Sequence, residues 1–189
     1  MSRLWLIRHG PTHAKSFVGW SDLPADLSDH AAIRRLEQAL PQVPVISSDL
    51  SRAVDTASAI QGTRPRLSHD PRLRETFFGD WELLRWPEIE ARDGDLARQV
   101  FESPGDVAPP GGESWNTFSA RVHAGVHDLA GETIVVAHMG VILALAQKAL
   151  NCSAADVLAH QIDPLSATVI DCPEGISGPW SCVCINQKF

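Results

Sequence analysis

The chain has no surplus of basic residues: its 16 Lys and Arg are outnumbered by 23 Asp and Glu, for a formal net charge of −7. With a pI near 5.5, this balance argues against a nucleic-acid or anionic-membrane surface, so any anion has to be bound at a local site. No stretch approaches the roughly 20 apolar residues of a membrane span. The first residues also lack the basic region and long apolar core of a secretory signal. A cytoplasmic protein with neither membrane nor nucleic-acid partners is expected. Cysteine is sparse, and Cys152, Cys172, Cys182 and Cys184 show no C-x-x-C spacing. Core thiols are expected, with Cys182 and Cys184 on one face of a strand. The alternatives are a zinc site or a disulfide between Cys172 and one of the later pair. Linkers, internal repeats and low-complexity segments are missing too, so residues 1–189 read as one domain with one sizeable core.

What is present is a strand-to-loop pattern that occurs three times. Leu4-Trp5-Leu6-Ile7 reads as a buried strand that ends in Arg8-His9-Gly10. In open α/β sheets ligands bind outside the carboxyl ends of the strands, which places a guanidinium and an imidazole at a crevice. The plainer alternative is a basic strand end with a surface histidine. Val43 to Ile46 reads as a second strand, after a helix capped by Ser28 with Ile33, Leu36 and Leu40 on one face. It runs into Ser47-Ser48-Asp49-Leu50-Ser51-Arg52, with Ser48 or Asp49 as the expected cap of the next helix. Free N–H groups at that helix start favour an anion and Arg52 adds a bidentate donor; otherwise Arg52 lies on a solvated face. Thr133 to Ala137 is the clearest buried strand, and it ends in His138-Met139-Gly140 before an apolar helix. His138 is thereby placed to meet a phosphate oxygen.

The loop from Thr12 to Pro24 has no sustained period and reads as a rim over the first strand. Lys15, Gly19 and Trp20 are its candidate binding groups, joined by Met139 at the third strand end. Glu75, among Leu73, Phe77, Phe78 and Trp81, is the candidate general acid, since desolvation raises the pKa of an embedded carboxylate. Its alternative is a salt bridge to Arg72 or Arg74, and Asp80 or Glu82 competes for the role. Trp86 to Glu102 reads as two short helices joined by Asp93-Gly94-Asp95, with Asp95 as a cap. Ser114 caps a helix whose Trp115, Phe118, Val122, Val126 and Leu129 form a core stripe. His123 and His127, four apart, read as surface histidines because no third ligand accompanies them. Ala167 to Cys172 and Trp180 to Asn186 read as closing strands, and an exposed edge in the latter would allow pairing into a homo-oligomer.

Arg8-His9-Gly10, Ser48 to Ala57, Leu73 to Glu82 and Val135 to Gly140 occur in the order of one known family. Over nearly its whole length the chain resembles the histidine phosphatase superfamily, the phosphoglycerate-mutase-like proteins. The resemblance implies a three-layer α/β/α sandwich around a mostly parallel sheet. It implies His9 as nucleophile, a phosphate pocket completed by Arg8, Arg52 and His138, and Glu75 as proton donor. Phe77 to Glu82, Gly112-Glu113-Ser114 and His138 to Ile142 look most like α-ribazole phosphatases of cobalamin synthesis. The chain departs from the family pattern at Pro11, Lys15 and His30, where an acidic residue, asparagine and glycine are usual.

The chemistry is coherent on the residues alone. A neutral imidazole attacks phosphorus while the arginines neutralise the phosphoryl oxygens, and a carboxylic acid protonates the leaving alkoxide. No metal or cofactor is called for, because arginines supply the charge that Mg²⁺ supplies elsewhere. Neither a G-x-x-x-x-G-K-[ST] loop nor a cysteine-to-arginine phosphate loop is present. The expected partner is a small phosphorylated metabolite. A phosphoglycerate mutase and a non-catalytic phosphate-binding protein are the alternative functions.

Overall fold

The computed structural model describes residues 2–189. Five strands form one sheet in the order β2-β3-β1-β4-β5: β1 is Ser2–Arg8, β2 Val45–Ser47, β3 Glu132–Ala137, β4 Ala167–Cys172 and β5 Ser181–Gln187. The central strands are apolar on both faces because both are covered, whereas β5 has no buried residue. Leu4, Leu6, Val135 and Ala137 pack on α4 (Trp115–Val126), α5 (Met139–Leu150) and α6 (Ala154–Leu158). Ile7, Ile134 and Val136 point the opposite way, onto α1 (His30–Ala39) and α2 (Ser51–Ile60). The result is the expected α/β/α sandwich. α3 (Trp86–Glu102) lies in a smaller third cluster, with Ile89 and Ala97 against Trp81.

The sheet is mixed rather than mostly parallel. β2, β3 and β1 run parallel, whereas β4 is antiparallel to β1 and β5 to β4. α5 and α6 return the chain so that β4 begins with Ala167 opposite Ile7, beside the carboxyl end of β1, and can only run back. An apolar run carries no mark of its direction, so the sequence could not show this.

Local signals differ in three places. Asp29 rather than Ser28 caps α1, accepting from Ala32 N at 3.0 Å. Leu50 is the cap position of α2 and has no side-chain cap bond, because Asp49 pairs instead with Arg74 at 2.6 Å. Residues 86–102 are two helical stretches that meet at Asp93 (φ −136°, ψ 33°), as expected, although Asp95 pairs with Arg98 instead of capping the second. The Asp93 carboxylate accepts from Trp81 Nε1 at 2.8 Å, which anchors their junction. Ser114 caps α4 as expected.

The four cysteines are free; Cys172 is in the core, but the others are half-buried. Among the described residues no cluster of three His, Cys, Asp or Glu converges as a metal site requires. His123 is half-buried against Trp180, ring centroids 5.4 Å apart, and His127 is exposed. β5 is an edge strand, with Val183 exposed. No helix is long and apolar enough to cross a membrane among these residues.

Candidate active site

Register brings three strand ends together. Arg8 pairs with Ala137 and Ser47 with Val136, so His9, Ser48 and His138 leave the sheet side by side. His9 N donates to Ala137 O at 3.0 Å and Ser48 N to Val136 O at 3.1 Å, extending the ladder by one step. Gly10 follows at a point of close approach: a Cβ there would lie 2.6 Å from Leu27 Cδ2.

His9 is 7% exposed, and its Nδ1 lies 2.6 Å from the Gly10 carbonyl oxygen. A carbonyl only accepts, so Nδ1 carries the proton and Nε2 keeps its lone pair. Burial pushes the imidazole pKa down to about 3, with the Arg52 and Arg8 charges adding to the effect against the Gly10 bond. The ring is therefore neutral near pH 7.

Arg52 is 1% exposed and all three of its nitrogens are engaged. Nη2 donates to Gly19 O at 2.6 Å, Nη1 to Ser21 O at 2.9 Å and Nε to His138 Nδ1 at 3.2 Å. The last bond settles the His138 tautomer, leaving Nε2–H as its free donor. His138 is fully enclosed, 5.1 Å from the His9 ring, and burial next to His9, Arg52 and Arg8 holds its pKa well below the usual value. Arg8 donates through Nη1 to the Ile162 carbonyl. Arg8 Nε and His138 Nε2 are buried without a partner among the described residues. Native interiors rarely leave such donors unmade, so the pair points to a ligand that accepts hydrogen bonds.

Glu75 is half-buried on the opposite wall. Oε1 accepts from Thr76 N at 2.9 Å and Oε2 from Gly140 N at 3.1 Å. The alternative, a salt bridge to Arg72 or Arg74, is not made, because Arg72 pairs with Asp70 and Arg74 with Asp49. The apolar enclosure expected around it is also divided: Leu73 joins the main core and Trp81 the cluster under α3. Asp80 pairs with Arg92, away from the site.

Arg8, His9, Arg52 and Glu75 line one cleft of about 510 Å³. Farther out its wall turns apolar, with Phe17, Val18, Phe78, Phe101, Pro109 and Leu158. No Lys or Arg other than Arg8 and Arg52 lines it among the described residues. Met139 is on the wall, but Lys15, Gly19 and Trp20 are not. Thr12, Ala14 and Ser16 face inward, so Lys15 between them is exposed. Gly19 is buried behind Arg52, and the Trp20 indole donates to Glu75 O at 2.9 Å while stacking on Phe77.

The profile of the histidine phosphatase superfamily (branch 1) matches residues 4–187, which includes every residue of this cleft. The chain belongs to the histidine phosphatase superfamily. Among its superfamily relatives is the adenosylcobalamin/alpha-ribazole phosphatase of Escherichia coli K12, 29% identical over 99% of this chain and 92% of that one. The glucosyl-3-phosphoglycerate phosphatase of Mycolicibacterium vanbaalenii is 34% identical over 76% of this chain and 72% of its own. Among solved structures, Bacillus stearothermophilus YhfR superposes with a TM-score of 0.86 at 25% identity, covering 100% of this chain and 98% of that one.

Sequence reasoning missed Arg121 and gave Glu82 no supporting role, yet both build this cleft from behind. Arg121 donates to the carbonyls of Arg72, Arg74 and Glu75 and holds Glu113 with both edges of its fork. On α4 it looks like any solvated-face arginine, and only its place next to the core stripe was a signal. Glu82 was visible as a competitor to Glu75 and has a different place, behind the Gly19–Ser21 loop.

Proposed function

We propose that the protein is a phosphomonoesterase that works through a phosphohistidine at His9. The observation that carries this is the neutral His9 ring, its Nε2 lone pair free, in the same cleft as the buried Arg52 and half-buried Arg8 guanidiniums and a carboxyl group. Nε2 attacks phosphorus as the P–O ester bond breaks, and Glu75 gives a proton to the departing oxygen. Arg8, Arg52 and the His138 Nε2–H take up charge on the phosphoryl oxygens. Water then attacks phosphorus, Glu75 takes its proton, and the N–P bond breaks to release phosphate and restore the ring.

The substrate read from the cleft is a small monoester with an apolar remainder. The outer wall offers aromatic and aliphatic side chains and no third cation for a second anionic group, which disfavours phosphoglycerates and hence the mutase alternative. Together with the E. coli relative's name, this favours α-ribazole 5′-phosphate, whose base is an uncharged aromatic ring system.

The test is phosphate release in EDTA from α-ribazole 5′-phosphate beside glycerate, sugar and nucleotide phosphates, with His9→Ala as control. Selective turnover of the ribazole ester that vanishes in the variant, with ³²P trapped on the wild-type protein in acid-labile form, is expected. Interconversion of phosphoglycerates without net hydrolysis would replace the reading with a mutase, and phosphate binding without any turnover would replace it with a binding protein.

A further inference from the structure

The Glu82 carboxylate accepts five hydrogen bonds and has no cationic partner among the described residues. Oε1 takes the backbone N–H of Trp20 at 2.8 Å and of Phe78 at 3.2 Å. Oε2 takes the backbone N–H of Gly19 and of Ser21, each at 3.2 Å, and the Ser21 hydroxyl at 2.6 Å. A carboxylate offers about four lone-pair sites, so none is left to carry a proton to a substrate. Three successive N–H groups closing on one anion form a nest, here filled by the chain's own side chain. Gly19 is required at its head, because a Cβ there would strike Thr76 O and Glu82 Oε1.

Two of the same three residues, Gly19 and Ser21, face Arg52 with their carbonyls. Gly19 O accepts from Nη2 at 2.6 Å and Ser21 O from Nη1 at 2.9 Å. In a trans peptide the C=O and N–H point opposite ways. The Gly19–Trp20 unit therefore spans from the Glu82 carboxylate on its N–H side to the Arg52 guanidinium on its C=O side. Bonds in such a chain polarise one another, and a carboxylate at one end strengthens the acceptor at the other. Arg52 is thus held in a fixed fork with its Nε turned to His138.

We propose that Glu82 is a positioning residue: it orients Arg52 for the phosphoryl group through the Gly19–Trp20 peptide, and it neither gives nor takes a proton in the reaction. This rests on the phosphate-site reading above but does not need turnover to be tested.

The experiment compares Glu82→Gln with wild type for inorganic phosphate binding by calorimetry and for hydrolysis of an alkyl phosphate and of p-nitrophenyl phosphate. The amide replaces an acceptor by a donor facing N–H groups, so phosphate affinity and kcat/KM fall by about tenfold or more, mostly through KM. The good leaving group does not restore Glu82→Gln, although it restores a variant that has lost its proton donor. In an Arg52→Lys background, Glu82→Gln costs less than about twofold, because its effect passes through the missing fork. Ser21→Ala removes only the hydroxyl bond to Oε2 and keeps the carbonyl that Arg52 uses. It serves as the second variant if Glu82→Gln does not fold, with an expected loss of phosphate affinity of about twofold to fivefold. Phosphate affinity unchanged in folded Glu82→Gln, or in Ser21→Ala where only that variant folds, would overturn the proposal. So would rescue of Glu82→Gln by p-nitrophenyl phosphate, or independent losses in the two backgrounds. Wild-type phosphate binding without turnover would instead count against the esterase reading alone.

Discussion

Gly140 donates its backbone N–H to Glu75 Oε2 at 3.1 Å, and it does so only because it has no side chain. A Cβ on Gly140 would fall on Glu75 Oε1, 3.2 Å from Glu75 Cδ and 3.2 Å from Phe118 Cζ. The carboxylate is the far end of a flexible side chain, so it moves aside more cheaply than the helix does. Gly140→Ala should therefore lower kcat for an alkyl ester by about tenfold or more, with stability little changed because alanine suits the first turn of α5. Steady-state kinetics with thermal melting checks this. A variant as active as wild type would mean that Glu75 does not act from its observed position.

Arg121 supports the backbone of the same residue, Glu75, from below. Its fork bonds Glu113 at 2.7 and 2.8 Å and reaches the Glu75 carbonyl at 3.1 Å. The two side chains are 17% and 14% exposed, so removing the guanidinium leaves Glu113 and three carbonyls short of partners. Arg121→Ala should cost about 2–3 kcal/mol in urea unfolding. Arg121→Lys keeps the charge without the planar fork, and it should lower kcat more than it raises KM.

The two buried histidines give a sign to the pH dependence of stability. His9 falls from 6.5 to about 3 on folding, and His138 is held well below 6.5. Between those values the unfolded chain binds protons that the folded protein refuses. Stability is therefore full above the unfolded value and is lost as pH falls from about 6.5 toward 3, by up to about 1.4 kcal/mol per pH unit for each histidine. Unfolding measured from about pH 7 to about pH 5 keeps clear of the carboxylates, whose ordinary range lies lower. His138→Asn should flatten that slope; an unchanged slope would mean that His138 does not enter folding as a neutral ring.

The strand ends were legible because each is a local signal. An apolar run that gives way to Arg8-His9-Gly10 or to His138-Met139-Gly140 states both a buried strand and its exit within a few residues. Caps were less legible: Ser28 and Asp29 are adjacent and chemically equivalent as caps, and Asp49 was drawn off by Arg74, 25 residues away. The rim was misplaced for a related reason. Lys15 has the chemistry of a phosphate ligand, but the path of residues 12–16 turns its neighbours inward instead.

By itself the sequence determined the layered α/β class and the residue types at three strand ends, because hydrophobic period and residue chemistry are written locally. Only the tertiary structure decided that β4 and β5 run antiparallel, that the Trp81 cluster lies apart from Glu75, and that Glu82 and Arg121 stand behind Arg52 and Glu75. Those facts depend on register and on hydrogen bonds between residues 46 to 63 positions apart. No local pattern specifies such contacts, and they exist once the core has closed.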